Sequence, residues 1–321
     1  MVLALEDKWV WDSWYVHDGD LWHCYFLQAD KSIGDPELRH WNVSYGHATS
    51  RDLKSWTHLG TCFAPSESPA WDDYTTWTGS VVRGDDDRWH MFYTGTSREG
   101  GGKNQKIGHA VSDDLHNWSR VGKGLILDRD ERYEEFIPGR WHDRAFRDPW
   151  VMRDPEGGWL MYFTARDANI KTPMEAGAIG RASSRDLHNW ALEDPVFTGS
   201  FGEMEVPQVF EWEGQWYCLF CTSQRFWSED AASVIGPPAT GSHYLIADNL
   251  RGPWTLAPGP ILDGHAPGQR YAARILDSGA DKYIMGFLMK DPETGAFPGI
   301  IADPETVKKL PSGQLELAPC A

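Results

Sequence analysis

The chain has 321 residues, and its 30 Lys and Arg against 47 Asp and Glu give a formal net charge of −17. Such a surplus of acid repels phosphate, which argues against nucleic acid and anionic membrane surfaces as partners. Aromatic residues are frequent, with 18 Trp, 13 Phe and 11 Tyr, and 32 Gly and 20 Pro supply many turns. This composition is typical of an all-β protein rather than a helical one.

The start of the chain and the cysteines predict a cytoplasmic protein. Residues 1–7 lack the basic region and long apolar core of a secretory signal, and no apolar run approaches the length of a membrane helix. The five cysteines are an odd number and widely scattered, as expected for reduced thiols in a cytoplasm. Cys218 and Cys221 form a C-x-x-C without a second pair, so we expect neither a metal nor another cofactor.

Two sequence elements recur along the chain. The element GHATSRDLKSW is repeated with small changes, in residues 46–56, 108–118, 180–190 and, in degenerate form, 244–254. Short alternating aromatic segments also recur, in residues 21–26, 88–93, 158–163, 215–220 and 282–287. A period of about sixty residues with roughly four strands corresponds to one propeller blade. The sequence therefore predicts an all-β fold, a five-bladed β-propeller that residues 1–321 form as one domain.

The residues that recur in every blade are expected to build the fold. We expect the tryptophans that close each copy to wedge between blades; they are Trp56, Trp118, Trp190 and Trp254. The Asp of each Ser-x-Asp-Leu should accept backbone N–H bonds in a turn between outer strands. An active site needs groups that occur once, so the informative acids are those that break the repeat.

Three carboxylates break the repeat, each at the start of a blade. Asp12 lies in VWDSW of blade 1, Asp148 in FRDPW of blade 3, and Glu205 in EMEVP of blade 4. Because the innermost strands of a propeller converge on its axis, we expect these acids to share one pocket. Burial and mutual repulsion would push their pKa values apart, as a glycosidase requires of its two carboxyl groups. Asp12 could instead serve a turn, and Asp148 could pair structurally with Arg147.

Two neighbouring segments offer alternative acids. Glu203 competes with Glu205 in blade 4, and we favour Glu205 because it directly precedes a Val-Pro pair. Asp143 and Arg144 lie just before the start of blade 3 and could form the functional pair instead.

These segments resemble glycoside hydrolase family 32 and its relative family 68, the group of five-bladed propellers that includes invertases, inulinases and levansucrases. Gln28 follows Asp12 by sixteen residues, as a Gln follows the nucleophile in family 32. Four further segments are similar to family motifs in the same order, namely residues 45–56 (YGHATSRDLKSW), 77–80 (WTGS), 146–149 (FRDP) and 205–207 (EVP). Order and spacing match across most of residues 9–220.

The resemblance implies a role for each matched residue. It makes Asp12 the nucleophile that forms a fructosyl-enzyme and Glu205 the acid/base. Asp148, with Arg147 beside it, would hold sugar hydroxyls and stabilise the transition state. The resemblance also implies that Gln28, Trp77 and Ser80 line the subsite of the sugar being transferred. We further expect Trp14 and Tyr45 to bind the sugar, because aromatic rings suit its apolar face. The implied reaction is retaining hydrolysis of β-fructofuranosides such as sucrose or short fructo-oligosaccharides, with fructosyl transfer where a sugar replaces water.

The chain departs from the family 32 pattern in several places. Asp12 lies in Trp-Asp-Ser-Trp, a setting closer to family 68, whose members often transfer fructosyl groups to sugars. Val206 replaces the Cys of the Glu-Cys-Pro motif. We expect no C-terminal β-sandwich, because the chain ends soon after the fifth blade. Residues 226–241 form an insertion that we expect to be a loop at the rim of the pocket.

Three other functions compete with this one. A family 43-like inverting furanosidase on arabinose or xylose units would differ in the separation of its carboxylates and in its product anomer. A non-catalytic sugar-binding propeller would keep the aromatics but need not keep all three acids. An interaction propeller of the WD-repeat type has shorter repeats of about 40–45 residues. The sequence predicts a small carbohydrate as the partner and does not predict an oligomeric state.

Overall fold

The computed structural model describes residues 2–264, 269–279 and 281–318. These residues form five antiparallel sheets, the blades of an all-β propeller, which confirms the predicted fold class. Strand β1 spans Leu3–Ala4. Blade 1 contains β2 (Lys8–His17), β3 (Trp22–Asp30), β4 (Ser44–Ser50) and β5 (Thr57–Phe63). Blade 2 contains β6 (Thr75–Arg83), β7 (Trp89–Thr96), β8 (Lys106–Ser112) and β9 (Ser119–Leu127).

The other three blades follow in chain order. Blade 3 contains β10 (Phe146–Arg153), β11 (Trp159–Arg166), β12 (Gly177–Ser184) and β13 (Trp190–Thr198). Blade 4 contains β14 (Glu205–Trp212), β15 (Gln215–Thr222), β16 (Gly241–Ala247) and β17 (Thr255–Leu256). Blade 5 contains β18 (Arg270–Asp277), β19 (Lys282–Leu288), β20 (Ile300–Ile301), β21 (Glu305–Lys309) and β22 (Leu315–Leu317).

The innermost strands form a closed ring around the axis. Each of β2, β6, β10, β14 and β18 contacts the innermost strands of the two adjacent blades. Strand β1 pairs with β20, opposite Ile300 and Ile301, and so ties the start of the chain to blade 5. A ring of blades of this kind leaves only short inner edges, which the neighbouring blades protect.

The recurring glycines allow the aromatic second strands to pack closely. Gly46, Gly108 and Gly180 lie directly opposite Phe26, Tyr93 and Phe163 on the neighbouring strand. A Cβ on these glycines would lie 2.1, 2.3 and 2.2 Å from the respective rings. The aromatic ring therefore lies over the glycine, a pairing known to stabilise glycine positions in sheets. Strands β7 and β11 are buried along their whole length because neighbouring blades cover both faces.

The repeated Ser-x-Asp-Leu segments form turns between the third and fourth strands, as predicted. The Asp114 carboxylate accepts the backbone N–H of His116 at 2.9 Å and of Asn117 at 2.7 Å. Asp52 and Asp186 make the equivalent pairs of bonds in blades 1 and 3. These bonds satisfy backbone donors that the turn would otherwise leave unpaired.

The closing tryptophans pack between blades in most copies. Trp118 meets Tyr25 of blade 1 at 5.8 Å between ring centroids, and Trp190 meets Phe92 of blade 2 at 5.5 Å. Trp254 belongs to a core shared by blades 3 and 4. The Trp56 ring contacts Tyr15 of its own blade and packs against the core that blades 1, 2 and 5 share.

The short helices lie in the loops that join strands. Within the described residues, 3-10 turns span Lys31–Ile33, Pro36–Trp41, Pro173–Glu175 and Gln224–Phe226. The predicted rim insertion holds helix α1 (Glu229–Ile235), whose first turn is capped by Ser228. No helix among the described residues is long and apolar enough to cross a membrane. Cys24, Cys62, Cys218 and Cys221 are free thiols, and Cys320 lies outside the described residues.

Candidate active site

A cavity of about 680 Å³ opens on the propeller axis and is lined by residues from all five blades. Its volume falls within the range of small-molecule sites. Two groups of loops also line it: the loops that lead into the innermost strands and the loops between second and third strands. Leu27 and Phe287 add two residues from second strands. The hairpins between first and second strands lie outside the lining, as do the Asp turns. The cavity therefore occupies one end of the propeller.

A β-bulge at the same place in every innermost strand turns side chains into the cavity. The pairing shifts within each strand, between Trp11 and Ser13 in blade 1 and at the equivalent points of the other blades. The residues just before the bulges all line the cavity; they are Trp11, Trp77, Arg147, Glu205 and Tyr271. Four residues inside the bulges also line it, namely Asp12, Thr78, Asp148 and Val206. Bulges redirect side chains in this way next to active sites.

The Asp12 carboxylate accepts a short hydrogen bond from a neighbouring blade. The Thr78 hydroxyl donates to Asp12 Oδ2 at 2.5 Å. Burial raises the pKa of Asp12 to about 6, and the negative charge of Asp148 adds to this rise against the Thr78 bond. Asp12 is therefore largely ionised at neutral pH and available as a nucleophile.

Asp148 is held in a strained backbone conformation by bonds to its carboxylate. Its φ is 57°, a left-handed value that few non-glycine residues adopt. Its Oδ2 accepts the Thr164 hydroxyl at 2.9 Å and the Val206 N–H at 3.2 Å. Burial raises the pKa of Asp148, whereas Arg147, whose Nε lies 3.5 Å from Oδ2, opposes the rise. Bonds from its own blade and from blade 4 hold this conformation, so the orientation of this acid is built into the fold.

Glu205 shares one guanidinium with Glu203. Arg147 Nη2 lies 2.9 Å from Glu205 Oε1 and 2.9 Å from Glu203 Oε1. The Tyr271 hydroxyl donates to the other oxygen of Glu205. Burial and the charge of Glu203 raise the pKa of Glu205 to about 7. Burial alone would also raise the pKa of Glu203, but Arg147 and His142 outweigh it and hold that pKa at about 2.

The two glutamates thus differ in protonation although they lie side by side. Glu203 stays ionised, and Glu205 is poised to give or take a proton near neutrality. A group with a pKa near the working pH suits general acid/base catalysis. The pair gives Glu205 the properties of the proton donor and leaves Glu203 as a fixed anion.

A cluster of three side chains beside Glu205 has the residue types of a metal site. Ligand atoms of His142, Asp143 and Glu203 all lie within 4.8 Å of one another. Arg147 lies 3.5 Å from Asp143 and 2.9 Å from Glu203, so a cation already neutralises both carboxylates. This geometry favours an ion-pair network over a metal centre at this place in the described chain.

The structure brings together five of the nine predicted site residues. Asp12, Asp148, Glu205, Trp77 and Arg147 line the one cavity. The alternative pair proposed from the sequence was Asp143 and Arg144, and of these Asp143 also lines the cavity. Its carboxylate accepts a hydrogen bond from the Gln105 amide at 2.5 Å.

The other four predicted residues lie behind the cavity wall, which corrects their expected sugar contacts. Trp14 packs against Tyr45 at 4.8 Å in the blade 1 core, and the Tyr45 hydroxyl donates to the Trp77 carbonyl. The Gln28 amide donates to Thr61 at 2.8 Å within blade 1. The Ser80 hydroxyl accepts the Val151 N–H at 3.1 Å and joins blades 2 and 3. These residues support the wall rather than line it.

Several lining residues were not predicted from the sequence. Tyr271 and Thr78 occupy positions equivalent to those of the predicted site residues, at the bulge of blade 5 and the bulge of blade 2. Aligning the blade starts on Trp11, Arg147 and Glu205 would have found them. The remaining unpredicted residues come from loops, for example Arg39, Trp41, Gln105, His142 and Arg225.

Comparison with known proteins identifies the class. Residues 13–293 match the model of the glycosyl hydrolases family 32 N-terminal domain, and the chain belongs to this family. It is 32% identical to a sucrose-6-phosphate hydrolase of Bacillus subtilis (strain 168) over 53% of this chain and 33% of that protein. It is 26% identical to an invertase of Kluyveromyces lactis over 59% of this chain and 29% of that protein. The matches span about a third of the length of these relatives.

A solved structure shares the fold across nearly the whole chain. The inulosucrase from Halalkalicoccus jeotgali bound to kestose superposes with a TM-score of 0.80 and 24% identity, covering 98% of this chain and 87% of that one. At this identity the likeness shows the shared five-bladed fold.

Proposed function

We propose that the protein is a glycoside hydrolase that acts on β-fructofuranosides by a retaining mechanism. The observation that carries the proposal is the meeting of Asp12, Asp148 and Glu205 in one axial cavity, with the pKa of Asp12 at about 6 and that of Glu205 at about 7. Family membership and relatives named as sucrose-6-phosphate hydrolase and invertase support the substrate class. The kestose bound to the structural neighbour supports a fructose-containing ligand.

The first step uses one carboxylate as a nucleophile and one carboxylic acid as a proton donor. Asp12 attacks the anomeric carbon of the fructosyl unit while Glu205 protonates the leaving oxygen. The glycosidic bond breaks, an ester to Asp12 forms, and the leaving sugar departs with the proton of Glu205. The charge of Asp148 stabilises the oxocarbenium-like transition state, because the carboxylate is buried in the same cavity and held by Thr164 and Val206.

The second step reverses the roles. Glu205, now ionised, takes a proton from a water molecule that attacks the ester carbon and frees Asp12. A sugar hydroxyl in place of water gives fructosyl transfer with the same balance of atoms. Arg147 keeps Glu205 oriented throughout, since it bonds Glu203 as a fixed anchor at the same time.

The test compares fructose release from sucrose and short β-fructosides by the wild type, Asp12→Asn and Asp52→Asn. Asp52 serves as the matched control because it holds a turn at the opposite end of the propeller. We expect release by the wild type and by Asp52→Asn, and loss of at least about 10⁴-fold in kcat for Asp12→Asn. Normal turnover by Asp12→Asn would overturn the nucleophile. No release by the wild type would overturn the substrate class.

The cytoplasmic location is also a proposal and rests on the scattered, odd set of cysteines. Fractionation of the source cells tests it, with recovery in the soluble intracellular fraction as the expected result and recovery outside the cell as the contradicting one.

A further inference from the structure

In blades 2 to 5, one residue just past the bulge of the innermost strand bonds the backbone of an adjacent blade. It comes three residues after the residue that precedes the bulge; these residues are Ser80, Trp150, Gln208 and Arg274. The first three bond the next blade in chain order, as the Trp150 indole N–H does with the Val209 carbonyl at 2.9 Å. Arg274 breaks this pattern, because it bonds blade 4, the preceding blade.

The Arg274 guanidinium holds the two carbonyls that follow the proposed acid/base. Arg274 Nη1 lies 3.0 Å from the carbonyl oxygen of Val206 and 2.7 Å from that of Pro207. The residue is 1% exposed, and its guanidinium lies 5.2 Å from the centroid of the Trp150 ring. Arg274 is not part of the cavity lining, so it lies behind the wall that carries Glu205.

Val206 depends on such contacts because its backbone is strained. Its φ is 54°, a left-handed value that is a genuine outlier for a β-branched residue. The Val206 N–H donates to Asp148 Oδ2 at 3.2 Å and to the Thr164 hydroxyl at 3.1 Å, both in blade 3. The Val206 carbonyl accepts from Arg274 in blade 5. The strained residue next to Glu205 is therefore held on its two sides by the two adjacent blades.

Arg274 also places a positive charge beneath the acids of the cavity. Burial lowers the pKa of Arg274 to about 10, and the charges of Asp148 and Asp12 oppose this fall, so the side chain is protonated at neutral pH. Burial raises the pKa of Asp148, and the charges of Arg147 and Arg274 oppose that rise. Since the attraction between two charges is mutual, Arg274 favours the ionised form of both aspartates.

We propose that Arg274 is a positioning residue for the proposed reaction, which holds the strained Val206 and through it the orientation of Glu205 and the bond to Asp148. The inference rests on the proposed function and adds to it a residue outside the cavity. Loss of the guanidinium frees the Val206 carbonyl. Val206 then relaxes out of the left-handed conformation and carries Glu205 away from its partner Arg147.

The experiment measures kcat and KM for sucrose, per folded molecule, and the pH dependence of kcat/KM in wild type, Arg274→Met and Arg274→Lys. We expect kcat to fall about 10²-fold in Arg274→Met, and more than KM changes, since a small displacement of a catalytic group costs this much. The acid limb should move to higher pH, because Asp12 and Asp148 lose a nearby positive charge. Arg274→Lys keeps the charge and should restore the wild-type acid limb and most of kcat.

A second arginine provides the matched control. Arg120 also donates to a main-chain carbonyl, that of Ala64 at 2.7 Å, but lies in the outer strand β9 and outside the cavity lining. Arg120→Met should lower stability and leave kcat per folded molecule and the acid limb unchanged. Wild-type kcat and acid limb in Arg274→Met would overturn the proposal, and so would equal changes in Arg120→Met.

A neutral polar variant keeps the test decisive if Arg274→Met does not fold. Arg274→Gln retains an amide donor for the carbonyls but has no charge, so its acid limb should move to higher pH with a smaller loss of kcat. A wild-type acid limb and wild-type kcat in Arg274→Gln would overturn the proposal.

A structural measurement separates this proposal from the proposed function. A wild type that releases no fructose from sucrose overturns the proposed function. Crystal structures of wild type and Arg274→Met, or Arg274→Gln, then test the positioning role alone. We expect Val206 to leave the left-handed region and Glu205 to lose its bond to Arg147. An unchanged Val206 and Glu205 would overturn the positioning role.

Discussion

The two ends of the propeller use the same repeated blade in opposite ways. At the cavity end, the bulge recurs in all five innermost strands, but the side chains around it differ from blade to blade. At the opposite end, the Asp turns of three blades repeat both the backbone and the side-chain bonds. The proposed active site therefore lies where the backbone repeats and the side chains differ.

The opposite end also joins its blades with titratable groups, and burial keeps two of them neutral. His47 lies 2.9 Å from His23 and 3.0 Å from His116 of the next blade. His109 lies 2.9 Å from His90, with the His188 ring of the next blade 5.1 Å away. Burial lowers the pKa values of His47 and His109 to about 3. At the cavity end, by contrast, burial raises the pKa values of acids into the working range.

After Asp12→Asn, the substitution at the cavity end that should lower kcat most is Glu205→Gln. Without a proton donor, kcat on sucrose should fall by about 10²- to 10⁴-fold. An aryl β-fructoside needs little protonation of its leaving group, so the first step should be nearly preserved for it. Burst kinetics on the two substrates checks this, with Glu211→Gln on the exposed part of the same strand as control. Equal losses on both substrates would contradict the acid role.

The pH dependence of kcat/KM should be bell-shaped. Activity should fall below about pH 6 as Asp12 gains a proton and above about pH 7 as Glu205 loses one. Glu203→Gln removes the negative charge that raises the pKa of Glu205, so the alkaline limb should move to lower pH. An alkaline limb that stays in place would show that Glu203 does not set this pKa.

The histidine contacts should make the opposite end sensitive to acid. His47 and His109 are held neutral when folded but take up protons near pH 6.5 when unfolded. Their contribution to stability is therefore present above about pH 6.5 and is lost as the pH falls toward 3. At pH 5 the loss is about 2 kcal/mol for each histidine. Replacing both with Gln should reduce the loss of unfolding free energy between pH 7 and pH 5.

The control for this measurement is the exposed His17. Its replacement by Gln should leave the change in unfolding free energy between pH 7 and pH 5 as it is in the wild type. Denaturant unfolding at the two pH values gives the numbers. Asp12 acts with the opposite sign, because its raised pKa lets the folded state gain stability as the pH falls from about 6 toward 4. If the variant with both His47 and His109 replaced lost as much unfolding free energy between pH 7 and pH 5 as the wild type, the role of the histidines would be contradicted.

The smallest effect is expected at a single turn. Asp114→Ala removes the acceptor of two backbone N–H groups and of the Asn117 amide, and should cost about 1 kcal/mol of unfolding free energy. Turnover per folded molecule should not change, since the turn lies outside the cavity lining. Thermal unfolding and an active-site titration measure the two quantities. A change in kcat would show that the two ends are coupled.

The repeats predicted the fold, and the breaks in them predicted the three acids, but of the two tryptophans that flank Asp12 the sequence analysis chose Trp14 rather than Trp11. A regular strand puts Asp12 and Trp14 on one face. The bulge at Asp12 breaks this alternation, so Trp11 and Asp12 both face the cavity and Trp14 turns into the core. A bulge is a tertiary feature that no periodicity reveals.

Residues from the rim loops could not have been predicted for a different reason. Trp41 and Arg39 reach the cavity through the path of a loop, which depends on tertiary contacts such as the Gly102 approach to Trp41. Gln28 matched the family spacing, yet its amide nitrogen donates to Thr61 inside blade 1. The spacing in the sequence predicted the strand on which Gln28 lies but could not predict which way its side chain points.

The most direct test of the proposed mechanism is to trap the covalent intermediate. Glu205→Gln supplied with an aryl β-fructoside forms the ester but lacks the base that hydrolyses it, so a glycosylated enzyme should accumulate. Mass spectrometry of the digested protein should find one hexosyl group on the peptide that carries Asp12. A hexosyl group on another residue, or steady turnover of this substrate without any glycosylated enzyme, would contradict the retaining mechanism and its nucleophile.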